Sequence, residues 1–113
     1  MTPGTVYTLE RGAEVLGTLR ITGVGGFAVH ADFEPAPAFA PYRVLFDEDA
    51  RLAHLVATDP HPDTLLEAEA VLDSILALNL TLRREGDLGF RSVLISIEGN
   101  RADVRPLTEE IPL

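Results

Sequence analysis

Hydrophobic and polar residues alternate with a period of two over the first third of the chain. Val6-Tyr-Thr-Leu-Glu10 and Glu14-Val-Leu-Gly-Thr-Leu-Arg-Ile-Thr22 put Tyr7, Leu9, Val15, Leu19 and Ile21 on odd positions, and Thr8, Glu10, Thr18, Arg20 and Thr22 on even ones. That period belongs to strands with one buried and one wet face. Between the two runs, Arg11-Gly12-Ala13 supplies a tight turn with a glycine able to take positive φ, so a β-hairpin is expected. Leu16 is the apolar residue out of phase. Gly23-Val-Gly-Gly26 breaks the pattern. Residues 27–33 restore it, with Phe27, Val29, Ala31 and Phe33 on one side and His30, Asp32 and then Glu34 on the other.

Prolines at 35, 37 and 41 forbid further ladder pairing and bias the residues before them to extended backbone. Pro41 suits the first position of a helix. Residues 41–57 read as that helix, with Leu45, Phe46, Leu52, Ala53 and Val56 toward the core and Asp47, Glu48 and Asp49 early, where the helix dipole favours anions. Asp59-Pro-His-Pro-Asp63 is a break. Asp63 or Thr64 then caps a second helix, Thr64 and Glu67 match a capping box, and Leu65, Ala68, Leu72, Ile75, Leu76 and Asn79 follow helical spacing. Leu78, Leu80 and Leu82 fit either the end of that helix or a switch to a strand. Residues 90–98 carry apolar side chains on both faces, which predicts a central strand. Gly99-Asn100 is a hairpin turn and residues 101–105 form a last strand. Segments 1–5 and 107–113 are expected to be loose. The order βββ-αα-ββ predicts one α+β domain over 1–113: an antiparallel sheet of about five strands with two helices packed on one face.

Composition narrows the function classes. A chain of 113 residues, 46% hydrophobic and 24% charged, buries a single core. No run of about 18 apolar residues exists, so no membrane span is expected. The start lacks a basic region followed by an apolar stretch, so no secretory leader is expected. Cysteine is absent, which excludes disulfides and thiolate metal sites and fits a cytoplasmic location. The formal charge of -9 is spread along the chain, so binding to nucleic acid is not expected. All basic residues are arginine, which excludes lysine side-chain catalysis.

Three groups of residues can carry chemistry. His30, Asp32 and Glu34 share a strand face, with Thr18 and Arg20 adjacent across the sheet; neighbours on such a face stand roughly 6.5–7 Å apart. That spacing suits two carboxylates working through a water, or a histidine–carboxylate metal site. A solvated sheet face explains the same residues without chemistry. Asp59, His61 and Asp63, with His54 nearby, offer imidazole and carboxylate ligands for a cation. Their prolines point more simply to turns and caps. Phe39 and Tyr42, in the aromatic cluster with Phe33 and Phe46, and the out-of-phase Leu16 are candidates for an interface. Gly23–Gly26 is followed by a strand rather than a helix, which removes a phosphate-loop reading. Ser74, Ser92 and Ser96 have no nucleophile-elbow context.

Tyr7-Thr-Leu-Glu-Arg11, Gly17-Thr-Leu-Arg-Ile-Thr-Gly23 and Phe33-Glu-Pro-Ala-Pro-Ala-Phe39 resemble small bacterial α+β proteins of uncharacterised activity that share a hairpin, a Phe-x-Pro segment and a following helix. The resemblance covers mainly the first half. It implies a compact cytoplasmic domain and supplies no activity, cofactor or catalytic residue. The expectation is therefore a non-enzymatic domain acting through protein contacts, as a homodimer, with no cofactor. Two alternatives stand beside it: a small enzyme or metal-dependent hydrolase on the polar sheet face, and a small-molecule site between the sheet and the Pro-rich crossing.

Overall fold

The computed structural model describes all 113 residues. The first hairpin forms: β1 (Val6–Arg11) pairs antiparallel with β2 (Glu14–Gly25), and Gly12 takes φ +59° in the turn, but a bulge beside Leu9 shifts the alternation, leaving Val15 exposed and Glu10 buried. β3 (Ala28–Pro35) pairs with β2, as expected for the third strand. A 3-10 helix, Pro37–Tyr42, leads into α1 (Arg43–Thr58). A short turn then reverses the chain into α2 (Pro62–Leu76). The remaining strands are β4 (Thr81–Arg84), β5 (Leu88–Phe90), β6 (Val93–Glu98), β7 (Arg101–Pro106) and β8 (Ile111–Pro112).

The five-strand expectation is corrected. Eight strands form one antiparallel sheet in the order β6-β7-β3-β2-β1-β4-β5-β8, curled into a half-barrel. Leu82, inside β4, pairs with Leu9 and with Phe90, so of the alternating leucines after α2 only Leu82 lies in a strand, Leu78 and Leu80 preceding it. Residues 90–98 are not one strand. The chain turns at Arg91-Ser92, leaving Phe90 in β5 and starting β6 at Val93. Nor is β6 central: it is an edge strand. Its second apolar face is explained by the helices. Val93, Ile95 and Ile97 enter the core, while Leu94, on the opposite face, shares a cleft with Ala53 of α1 and Leu72 of α2.

The two helices do not blanket one sheet face. The half-barrel curls around its own inward side chains, including Tyr7, Leu9, Leu19, Ile21, Phe33 and Leu82. α1 packs along β6 and against α2, and α2 buries only Ile75 fully. Pro35 to Pro41 was expected to be extended. Ala36 is extended, at φ -84° and ψ 163°, but Pro37 then opens the 3-10 helix. This turn drops Phe39 onto Phe33, with ring centroids 4.9 Å apart, and onto Phe46 at 5.5 Å. The space between the sheet and the Pro-rich crossing is filled by these rings.

Both ends of the chain are held. The Gly4 N–H donates to the Ile21 carbonyl at 2.8 Å, and the Ile21 N–H donates to the Thr5 carbonyl at 2.9 Å. β8 pairs with β5 through Ile111 and Pro112, which ties segment 107–113, expected to be loose, to the sheet edge.

Candidate functional site

The alternation of β3 does put His30, Asp32 and Glu34 on one side of the strand, but the structure divides them between two surroundings. Asp32 stands between Arg20 and Arg101 in register and forms no ion pair with either. With Glu34, Thr18 and Arg20 it lines a depression of about 360 Å³. His30 points elsewhere. Its Nδ1 lies 2.5 Å from Oδ1 of Asp103, directly across the β3–β7 pair.

That pairing belongs to a larger cleft. α1 contributes Ala50, Ala53 and His54, and the sheet contributes His30, Ser96, Glu98, Arg101 and Asp103, around about 720 Å³. A second histidine–carboxylate pair closes one end: His54 Nε2 lies 3.1 Å from Oε2 of Glu98. At the other end Ala53, Ser96 and Asp103 also line an adjoining apolar space of about 310 Å³, walled by Ala28, Leu72 and Leu94. The two spaces form one groove, polar at the β6–β7 turn and apolar toward the β2–β3 turn.

Local structure explains each position. The turn at Gly99, with φ +59°, fixes the β6–β7 register, so Ser96 faces Asp103 and Glu98 faces Arg101. An irregularity in β2 between Ile21 and Gly23 lets Gly23 face His30. Gly25 then leaves room for the imidazole: a Cβ there would lie 2.9 Å from His30 Nε2. Asp49 of α1 lines the apolar end, and burial raises its carboxyl above the usual carboxylate range.

The groove presents two imidazoles oriented by carboxylates. A carboxylate beside an imidazole nitrogen sets the tautomer and leaves the other nitrogen for a ligand. It is not arranged as a nucleophile triad. Across β6, β7 and β3 the order is Ser96, Asp103, His30, with the carboxylate between hydroxyl and imidazole. Acyl transfer requires the imidazole in the middle, able to take the hydroxyl proton. The side chains of His30 and Asp103 are 45% and 55% exposed, so both meet water.

The remaining candidates lie outside the groove. His61 caps α2, its Nδ1 accepting from the Asp63 N–H at 3.2 Å; the cap therefore comes earlier than the expected Asp63 or Thr64. Asp59, His61 and Asp63 do not converge on one point, and no group of three or more histidine or acidic side chains is placed to hold a metal ion. Leu16 is buried because of a bulge: Leu9 faces Gly17 and Glu10 faces Val15, so Leu16 is left unpaired and turns inward. Phe39 is 1% exposed. Neither of these two expected interface residues reaches the surface. Tyr42 does, in part, where its hydroxyl accepts from Arg11 Nη1 at 2.7 Å. No helix is long and apolar enough to cross a membrane.

Asp103, Glu98 and Ser96 were missed as site residues. Their signal was the two-residue turn at Gly99-Asn100, which sets them on the polar face of the last hairpin. The pairing of that hairpin with β3 had no local signal. Comparison with protein-family models, with curated proteins and with solved structures finds no match for this chain.

Proposed function

We propose that the chain is a non-enzymatic binding domain whose working surface is the groove between α1 and the β3–β7–β6 face. The observation that carries this reading is the convergence of two histidine–carboxylate pairs, drawn from distant parts of the chain, on one groove with an apolar end. Such a groove suits a small amphipathic molecule, with a hydrogen-bonding head near His30 and His54 and a short apolar body toward Leu72 and Leu94. A thermal-shift screen across metabolites tests it. A ligand at a hundred times its dissociation constant adds about 2.7 kcal/mol. The His30→Ala/His54→Ala double variant should lose that shift. Equal stabilisation of wild type and double variant would reject the groove as the binding surface.

A second reading, docking of a protein partner or a second copy, is favoured by α2. Leu65 and Leu66 are 45% and 65% exposed. Asp63, Glu67, Glu69 and Asp73 on the same helix, which carries no basic residue, set an electrostatic cost on symmetrical pairing and suit a basic partner. Light scattering at micromolar concentration separates these cases: a strict monomer removes the homodimer.

A further inference from the structure

Residues 110–113 occupy a built site at the opposite end of the sheet from the groove. Ile111 faces Gly89 and Pro112 faces Leu88 on the β5 edge. The Leu113 N–H donates to the Asp87 carbonyl at 2.7 Å, whereas the Leu107 N–H, which donates to the Ser92 carbonyl at 3.2 Å, adjoins the β6–β7 ladder. One side chain of the segment is read in detail. Arg84 donates from Nε to Oε1 of Glu110 at 2.9 Å and from Nη2 to the same oxygen, while the Tyr7 hydroxyl donates to Oε2 at 2.8 Å. Tyr7 is 2% exposed, and its hydroxyl has Glu110 as its hydrogen-bond partner. Gly89 completes the seat: a Cβ there would lie 2.8 Å from Leu113 Cδ1.

The segment itself is weakly paired. β8 has two residues, and one is a proline with no N–H to give. Leu107 and Ile111 are 50% and 37% exposed. Backbone pairing at a sheet edge, plus one buried reader for a side chain, is how strand-addition sites recognise extended peptides. We propose that the β5 edge, with Arg84 and Tyr7, is an acceptor site for an extended acidic peptide, and that residues 107–113 are its resident occupant. The partner class is a polypeptide segment with a glutamate placed before an aliphatic residue and proline, as in Glu110-Ile-Pro-Leu113. The site is distinct from the groove and does not depend on it.

The test uses the full chain, isotope-labelled for NMR, and a synthetic peptide with the sequence of residues 107–113. Wild-type chain holds its own segment at the high effective concentration of a tethered ligand. Glu110→Gln weakens that hold. Added wild-type peptide should then move the Leu88, Gly89 and Phe90 amides saturably, release the Ile111 and Leu113 signals, and bind about tenfold more tightly than to the wild-type chain. A peptide with glutamine at the same place should bind about tenfold more weakly. Introducing Arg84→Gln into the Glu110→Gln chain should remove the preference for glutamate, and Tyr7→Phe serves as a second reader variant should Arg84→Gln fail to fold. A segment that stays on β5 in the Glu110→Gln chain at millimolar peptide, or glutamate and glutamine peptides that bind alike, would overturn the proposal.

Discussion

Phe39→Ala is the sharpest test of how the Pro-rich crossing works. Phe39 is 1% exposed, with Phe33 at 4.9 Å, Phe46 at 5.5 Å and the Arg43 guanidinium 4.7 Å from its ring centroid. Truncating a core phenylalanine costs roughly 3–5 kcal/mol through lost transfer energy and the cavity left behind. Two aromatic neighbours, each worth about 0.5–1.5 kcal/mol beyond area, put this site in the upper half of that range. About 4 kcal/mol is a quarter or more of the roughly 5–15 kcal/mol that holds a typical domain together. With an unfolding entropy of roughly 2.1 cal/mol/K per residue, a chain of this length loses about 4 °C of Tm per kcal/mol, hence about 17 °C in all.

Urea titration followed by circular dichroism measures the loss. Phe39→Leu retains most of the apolar volume and should cost about 1.5 kcal/mol. Tyr42→Phe, which removes one exposed hydrogen bond to Arg11, should stay within about 0.5 kcal/mol. The effect should also reach the groove, because the 3-10 helix carrying Phe39 sets the start of α1, and α1 is one groove wall. A loss below about 1 kcal/mol for Phe39→Ala, the scale of a surface aromatic, would refute the core assignment and restore Phe39 as an interface residue.

Three further outcomes follow from the same geometry. Gly89→Ala should melt the β4–β5 pairing, because its Cβ would fall on the Leu82 carbonyl oxygen; hydrogen exchange at Phe90 and Leu82 should rise, and unchanged protection would contradict this register. Tyr7 titrates at about 12, raised first by burial and then by its hydrogen bond to Glu110. A raised pKa contributes stability that is complete below the ordinary value near 10 and is lost as pH climbs through 12; denaturation midpoints for wild type should therefore fall across that window more steeply than for Tyr7→Phe. His30→Ala and Asp103→Asn should each change stability by less than about 1 kcal/mol, because the pair is near half exposed; a larger loss by urea titration would give the pair a structural rather than a binding role.

The parts of the fold legible in sequence are those whose signal is local. The β1–β2 hairpin follows from alternation and Gly12. The β6–β7 hairpin follows from Gly99-Asn100. The Asp59–Asp63 break separates two helices whose ends lie within a few residues of those expected. What was missed is short or set by tertiary contacts. β4, β5 and β8 are 4, 3 and 2 residues long, too brief for periodicity to declare them. Arg91-Ser92 reads as polar members of one alternating strand, whereas the chain turns there. Apolar residues on both sides of β6 do mark a strand covered on both sides, but the cover can be a helix pair at the sheet edge as well as a second layer on its face.

The site shows the same division. The polar phase of His30 is written in β3 and that of Asp103 in the last hairpin, yet 73 residues separate them and only the β3–β7 pairing joins them. Sheet order decides more than proximity here. Had the last hairpin met β3 through β6 instead of β7, Ser96 would have stood next to His30 and Asp103 beyond it. The hydroxyl would then be the group between imidazole and carboxylate, again without a relay from hydroxyl through imidazole. Only an order with His30 in the middle strand gives a nucleophile a base with its own orienting carboxylate, and β3 has β2, bearing Gly23, on its other side. The topology thus withholds the third member of a triad from His30, which argues against acyl transfer at this groove and supports the proposed binding reading.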